Sequence, residues 1–324
     1  MATRFEILLH GENPTALRAA GEQALDEVER LEDQLSLYRP TSEISHVNRY
    51  AAERPVRVTP PVFALLAQAR RLWEETHGTF DVTVGPLVRC WGFMGGTGQL
   101  PDPQALAAAR ACVGMQWVGL DPLDCTVRFA RPGLLLDLGA IGKGYAIDHA
   151  ALVLQEAGVT SALLHGGTSS SFAIGAPPDS PGWRAAIPRP AAHAANALGP
   201  SGAATGQDAI LATAPLREES LSVSAVWGRS FHADGHTYGH VIDPRTAEPV
   251  QRAVLAAIVL PSATEADALS TALLTLGEEG LDLLARTRPG LRALLVVPET
   301  GAGRFRTLAR GDWLPGAGEA RGEA

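Results

Sequence analysis

The sequence predicts a fold of mixed helices and short strands, and three observations carry that reading. Helical spacing of apolar residues recurs near both ends of the chain, with Leu17, Leu25, Val28, Leu31 and Leu35 early and EADALSTALLTLG late. Short β-rich apolar runs bounded by Gly, Pro, Asn and Asp separate these helical stretches. Between them lies GLLLDLGAIGKGYAIDHAALVLQEAG, residues 133 to 158, where a short apolar run, a glycine loop and a helical pattern follow one another.

Taken in order, Thr3 to His10 reads as a strand and Thr15 to Leu37 as an amphipathic helix. Pro40 stops that helix, and Ser42-Glu43 starts a short helical turn. Pro60 to Thr76 is a second amphipathic helix, ended at Gly78. Phe80 to Val84 reads as β-rich, turned by Gly85-Pro86. Asp102 before Pro103 is an N-cap for a helix over 103 to 112. Trp117 to Leu120 and Thr126 to Phe129 read as strands. Leu134 to Leu138 is a buried strand ending beside a carboxylate, and Tyr145 to Ala157 a helix stopped by Gly158. Ser161 to His165, Phe172 to Gly175 and Trp183 to Ile187 are short strands. The Ala-, Pro- and Gly-rich segment about 190 to 218 reads as an inserted mobile loop, with Ala209 to Leu211 a possible strand. Leu221 to Trp227, Arg229 to Ala233 and Tyr238 to Ile242 are strands, the last two joined at Asp234-Gly235. Ala253 to Leu260 is a strand, Thr264 to Leu276 and Glu278 to Thr287 are helices, and Leu291 to Val297 is a last core strand. The tail, 315 to 324, should be disordered.

Composition narrows the function. Hydrophobic residues make up 46% of the 324 and charged residues 19%, enough for a sizeable core. A net charge of -8 with no Lys/Arg-rich run argues against nucleic acid as the main partner. Cys90, Cys112 and Cys125 are scattered, with no C-x-x-C pair, so structural zinc and a disulfide framework are not expected. No apolar run approaches the ~20 residues that span a bilayer. The N-terminus has only Ile7 to Leu9 as an apolar patch, so the chain is expected to be cytoplasmic if residue 1 is its native start.

Several stretches carry chemistry. Gly139, Gly142 and Gly144 place backbone N–H groups at a helix N-terminus, where an anion is favoured, and Lys143 adds a positive charge. The stretch is no P-loop, which needs Gly at 137 and Ser or Thr at 144, and its glycine spacing does not fit a dinucleotide fingerprint. Asp137 is placed to meet a ligand's polar edge or a metal. Asp267 and Thr271 share a helix face, and a carboxylate with a hydroxyl at that spacing suits a hard cation such as Mg²⁺. Asp267 lies among small and apolar residues, and a buried carboxylate needs a partner. His240, in H-V-I-D-P-R-T, is suited to moving a proton near neutral pH. Tyr38, at a helix exit, can stack on a flat ligand. No G-x-S-x-G elbow is present.

Six ordered segments together resemble the ApbE family of FAD:protein FMN transferases: LYRPTSEISHVNR, GTFDVTVGPLVRCWGF, LLLDLGAIGKGYAID, HGG, ADGHTYGHVIDPRTAEPV and ATEADALSTALLTLG. The resemblance implies a single α+β domain over 1 to 314, of mixed β-sheets flanked by helices and similar to a T-fold. It implies FAD as substrate and Mg²⁺ as cofactor. By that resemblance Met1, Tyr38, Thr79, Phe80, Asp81, Asp137, Lys143 and Ile242 would contact FAD. The Ala140 carbonyl, Asp267 and Thr271 would hold the metal, and His240 would be the catalytic base or a group close to it. The implied reaction carries FMN from FAD to a Thr or Ser hydroxyl of an acceptor flavoprotein in trans, with AMP leaving. The chain holds no acceptor-like segment of its own, and its oligomeric state is not indicated. Departures from the family pattern are Thr168 for an acid, Ala225, Val226 and Trp227, and Ala247 for Gly, all near the expected acceptor or flavin face, and Ser270 on the metal helix. They leave two other readings open: a non-catalytic FAD-binding paralogue, and a pyrophosphatase that yields FMN and AMP. The N-terminus is not expected to carry the leader common in exported family members, if residue 1 is the native start.

Overall fold

The computed structural model describes residues 3–190, 209–299 and 304–316. Met1 and the central part of the expected mobile loop, 191 to 208, lie outside the described residues, as do 317 to 324 of the expected disordered tail.

The first half of the chain is mainly helical. Strand β1 (Phe5–Leu9) leads into α1 (Pro14–Leu35), whose start is capped by the Asn13 side chain accepting from the Ala16 N–H at 3.1 Å. The short turn expected at Ser42 is a full helix, α2 (Glu43–Tyr50), capped by the Ser42 hydroxyl. Next come β2 (Val56–Arg57), α3 (Pro60–Glu75), α4 (Gly85–Cys90) and α5 (Pro103–Ala111), the last capped by Asp102 as its sequence predicts. A small antiparallel sheet, β2-β4-β3, uses β3 (Val118–Asp121) and β4 (Thr126–Phe129).

Two expected strands in this half do not form. Over 80 to 84 the chain turns, because the Asp81 carboxylate accepts from both the Thr83 N–H (2.7 Å) and the Thr83 hydroxyl (2.6 Å), and Gly85 then opens α4. Leu134 to Leu138 is extended but belongs to no sheet. Its backbone is satisfied otherwise: Asn48 donates to the Leu136 carbonyl (2.9 Å) and accepts from the Leu136 N–H (2.7 Å), while the Asp137 N–H bonds the Val82 carbonyl (2.7 Å). An apolar run reads alike in both arrangements, so sequence spacing could not separate them.

The second half builds the main sheet. Seven strands pair antiparallel in the order β1-β5-β6-β9-β14-β15-β16. They are β5 (Ala162–Gly166), β6 (Ser170–Ile174), β9 (Glu219–Ala225), β14 (Leu255–Leu260), β15 (Arg292–Pro298) and β16 (Phe305–Arg310), with β1 at one edge. Every residue of β14 is buried, which is why LAAIVL is uniformly apolar. Beside this sheet, β7 (Trp183–Pro188), β8 (Ile210–Leu216) and β17 (Leu314–Pro315) form a three-stranded sheet. The possible strand at 209 to 211 is therefore the start of β8. Pro315 pairs with Ala212, which shortens the expected disordered tail at its inner end. The hairpin β10 (Ser230–Ala233) and β11 (His236–Gly239) turns at Asp234-Gly235, both with positive φ. The expected strand 238 to 242 breaks after Gly239, and β12 (Ile242–Asp243) pairs with β13 (Glu248–Pro249) instead.

Two helices position the site. Helix α6 (Gly142–Glu156) begins three residues before its expected start and takes the loop glycines into its first turn. Helix α7 (Ala263–Leu276) packs against α6 on one side and β9 and β14 on the other, so it is buried nearly all round. Asp148 of α6 ties the pair. Its carboxylate accepts from the Ala263 N–H (2.7 Å), the Thr264 N–H (2.9 Å), the Thr264 hydroxyl (2.6 Å) and the Ser262 hydroxyl (3.0 Å). It thereby caps the N-terminus of α7 from another helix, where negative charge is favoured. Helix α8 (Glu279–Thr287) closes the layer.

Asp148→Ala leaves these donors without their acceptor and should lower unfolding free energy by about 2–4 kcal/mol. Denaturant unfolding checks this; a loss below about 1 kcal/mol would show that water or Ser262 replaces the cap.

Candidate active site

The site forms where the first turn of α6 meets the middle of α7. Gly144 permits the approach: a Cβ there would overlap the Ala263 carbonyl oxygen. The contact lets Asp267 reach across. One of its oxygens accepts from the Gly144 N–H (3.1 Å), and the other takes the Lys143 ammonium (2.9 Å) and the Ser222 hydroxyl (3.3 Å). Asp267 is 3% exposed, so this partnering is what makes its charge tolerable. Hydroxyls continue from there. Ser224 on β9 bonds Ser270 (2.8 Å) and Thr271 (3.1 Å), and Ser270 bonds Ser222 (3.3 Å). Thr271 is half-buried.

The Gly144 N–H that a continuous helix would send to the Ala140 carbonyl goes to Asp267 instead. Among the described residues no hydrogen bond reaches the Ala140 carbonyl. The neighbourhood thus offers a carbonyl, a carboxylate and a hydroxyl, all hard oxygen donors. No cluster of three or more His, Cys, Asp or Glu occurs among the described residues. One carboxylate with neutral oxygens suits Mg²⁺, which keeps waters and takes ligand phosphates, better than it suits zinc.

A second group of residues faces the same ground. Asp137 is half-buried and bonds the Gly139 N–H at 2.9 Å. Burial pushes its carboxyl up, opposed by that N–H and by the positive charge of Arg229. Tyr38 is 61% exposed. Its phenol is pushed up by burial of its inner part and by the Asp137 charge, against Arg229. Among the described residues His240 has no carboxylate partner. Its backbone N–H and its Nδ1 both meet the Arg229 carbonyl, at 3.0 and 3.2 Å. Burial holds its imidazole below the ordinary range, opposed by the hydrogen bond to Arg229 and reinforced by the Arg229 and Lys143 charges. Lys143 therefore acts on both groups, paired with Asp267 and felt by His240.

The side chains of other expected contact residues are engaged by neighbouring groups. Thr79 is buried with its hydroxyl on the Thr76 carbonyl (2.9 Å), and the Phe80 side chain is in the core. Asp81 is buried on Thr83, whose hydroxyl in turn accepts from the Gly114 N–H at 2.6 Å. What this segment gives the site is backbone, through the Val82 carbonyl under Asp137. The Ile242 side chain belongs to a second apolar cluster with Leu87, Trp91, Phe93 and Ala247. Below it the Asp243 carboxylate clasps the Arg245 guanidinium at 2.8 and 3.0 Å, which shapes the D-P-R-T turn. Ala247 takes a left-handed φ of 67°, a conformation suited to Gly. Sequence reading passed over Arg229, Ser222 and Asp148. Ser220, Ser222 and Ser224 alternate along β9, a period-2 polar face on a buried strand, and that signal was available.

The α+β fold thus brings a lysine, a carboxylate and hydroxyls to a helix N-terminus, a place where negative charge is favoured. The ApbE family model matches residues 1–295, and the chain belongs to the ApbE family. It is 32% identical over 310 residues to a "FAD:protein FMN transferase" of Klebsiella pneumoniae, covering 92% of this chain and 83% of that one. A protein of the same name from Treponema pallidum is 32% identical over 306 residues, with the same coverage. Among solved structures, the flavin transferase ApbE of Vibrio cholerae superposes with a TM-score of 0.76 at 28% identity, covering 95% of this chain and 94% of that one. The ApbE protein of Thermotoga maritima superposes with a TM-score of 0.78 at 25% identity, covering 94% and 93%.

Asp81 yields a prediction. Burial raises its carboxyl to about 6, against hydrogen bonds from Thr83, Met115 and Trp73 that lower it. An acid whose folded value lies above its unfolded value holds its proton more tightly in the native state. Its contribution is therefore lost as pH rises from about 4 to about 6, on the order of 3 kcal/mol. Asp81→Asn should remove that decline, as read by urea unfolding at pH 4 and pH 7. Parallel curves for the two proteins would contradict it.

Proposed function

We propose that this chain is a Mg²⁺-dependent FAD:protein FMN transferase, formed as one domain over 1 to 314. The observation that carries the reading is the meeting of Lys143 and Asp267, 124 residues apart in sequence, at an α6 N-terminus that His240 also faces. Family membership and the names of the relatives support it.

In this reading Lys143 and the first-turn N–H groups of α6 receive the FAD pyrophosphate, where helix dipole and ammonium favour negative charge. Tyr38 offers a ring to the isoalloxazine, and Asp137 a polar edge. Met1, Thr79, Phe80, Asp81 and Ile242 complete the expected flavin contacts, those from 79 to 81 and 242 through backbone. The Ala140 carbonyl, Asp267 and Thr271 would hold Mg²⁺, which supplies charge neutralisation on the phosphates. A Thr or Ser hydroxyl of an acceptor flavoprotein attacks the FMN-side phosphorus. His240 takes the hydroxyl proton, the new P–O bond forms, and the bond to the AMP phosphate breaks with AMP leaving as an anion. The acceptor carries FMN as a phosphoester.

Incubation with FAD and Mg²⁺, with and without an acceptor flavoprotein domain, tests the proposal. AMP release together with covalent flavin fluorescence on the acceptor is the expected result. AMP and free FMN without acceptor would favour a pyrophosphatase, and retained FAD with no AMP a binding protein.

As the base, His240 must be neutral, and its pKa lies below the ordinary imidazole range because of burial and neighbouring positive charge. Activity should therefore hold down to mildly acidic pH and fall only below that range. A kcat/KM profile whose acid limb lies at or above the ordinary imidazole value would remove His240 from that role.

A further inference from the structure

We propose that Arg229 is the positioning residue of His240, fixing its tautomer through its own backbone carbonyl. This rests on the reading of His240 as the base. A carbonyl only accepts, so His240 Nδ1, 3.2 Å from the Arg229 oxygen, carries the proton. In the neutral ring Nε2 then holds a free lone pair, the state a general base needs. The same carbonyl also accepts the His240 backbone N–H at 3.0 Å, so ring and backbone are located from one atom.

That atom needs holding, because Arg229 is exposed and follows Gly228, which has a φ of 105° and open space around it. The guanidinium supplies the anchor. Nη2 donates to the Phe93 carbonyl at 2.5 Å and the Gly96 carbonyl at 3.2 Å. The anchoring loop is itself braced, since Phe93 packs on Phe231 with ring centroids 5.8 Å apart and Trp91 packs on Tyr238 at 5.4 Å. The Phe93 ring edge also meets His240 at 6.4 Å. The charged groups acting on the imidazole are Arg229 itself and Lys143. Both bonds leave Nη2, which lies one bond beyond the position a lysine ammonium reaches.

The test is ¹⁵N NMR of histidine-labelled full-length protein at a pH where the rings are neutral. Subtracting the spectrum of His240→Gln assigns the His240 signals among the nine histidines. The wild type should show protonated Nδ1 and unprotonated Nε2. In Arg229→Met and Arg229→Lys the signals should move toward the Nε2-protonated form, and kcat should fall about tenfold or more in both. Lysine keeps the charge and loses the reach of Nη2, so agreement of the two variants assigns the effect to anchoring. An Nε2-protonated wild type, or an unchanged tautomer in folded Arg229→Lys, overturns the proposal. Full turnover in His240→Gln would instead remove the base reading, while the tautomer result stands by itself.

Discussion

The whole site depends on how closely α6 approaches α7. At Gly144 the two helices touch backbone to backbone, and only a residue without a Cβ permits it. That closeness lets one buried carboxylate, Asp267, bind both a first-turn N–H and the Lys143 ammonium. An isolated buried carboxylate would be costly; here the helix N-terminus and Lys143 compensate it. Asp148, one turn further along α6, fastens the same two helices at the start of α7. Packing and polar satisfaction therefore pull in one direction, and the site inherits the rigidity of the core beneath it.

The arrangement also frees groups. Diverting the Gly144 N–H to Asp267 leaves the Ala140 carbonyl outside the helical ladder, with no hydrogen bond to it among the described residues. Lys143 links this oxygen-rich floor to His240, whose imidazole responds to its charge. Tyr38 is largely exposed, and the Arg229 guanidinium is bonded to the glycine-bearing loop at 92 to 98.

Much of this was legible before the fold was known. Glycine punctuation and Lys143 marked an anion-binding helix start, and Asp267 with Thr271 marked a shared helix face, because both signals are local. Their meeting was not legible by periodicity, since nothing local joins positions 143 and 267; the family resemblance implied an FAD contact for Lys143 and a metal-ligand role for Asp267 without pairing them. Leu134 to Leu138 was misread as a strand because Asn48, 88 residues from Leu136, takes the place of a neighbouring strand. The segment at 79 to 81 was expected to line the FAD site, and the structure shows the Thr79 and Asp81 side chains bonded to Thr76 and Thr83. Arg229 was invisible as a site residue, because its role comes from its carbonyl and from a loop far away in sequence.

The measurement that bears most directly on the helix junction is FAD affinity in Gly144→Ala, a substitution that adds one methyl group and removes no polar group. The added methyl must push α6 from α7 and separate Lys143 and the first-turn N–H groups from Asp267. Titration of the folded variant with FAD and Mg²⁺, beside the wild type, should show affinity lowered by about tenfold or more. Undiminished affinity in a folded Gly144→Ala protein would contradict the claim that this junction is the binding site.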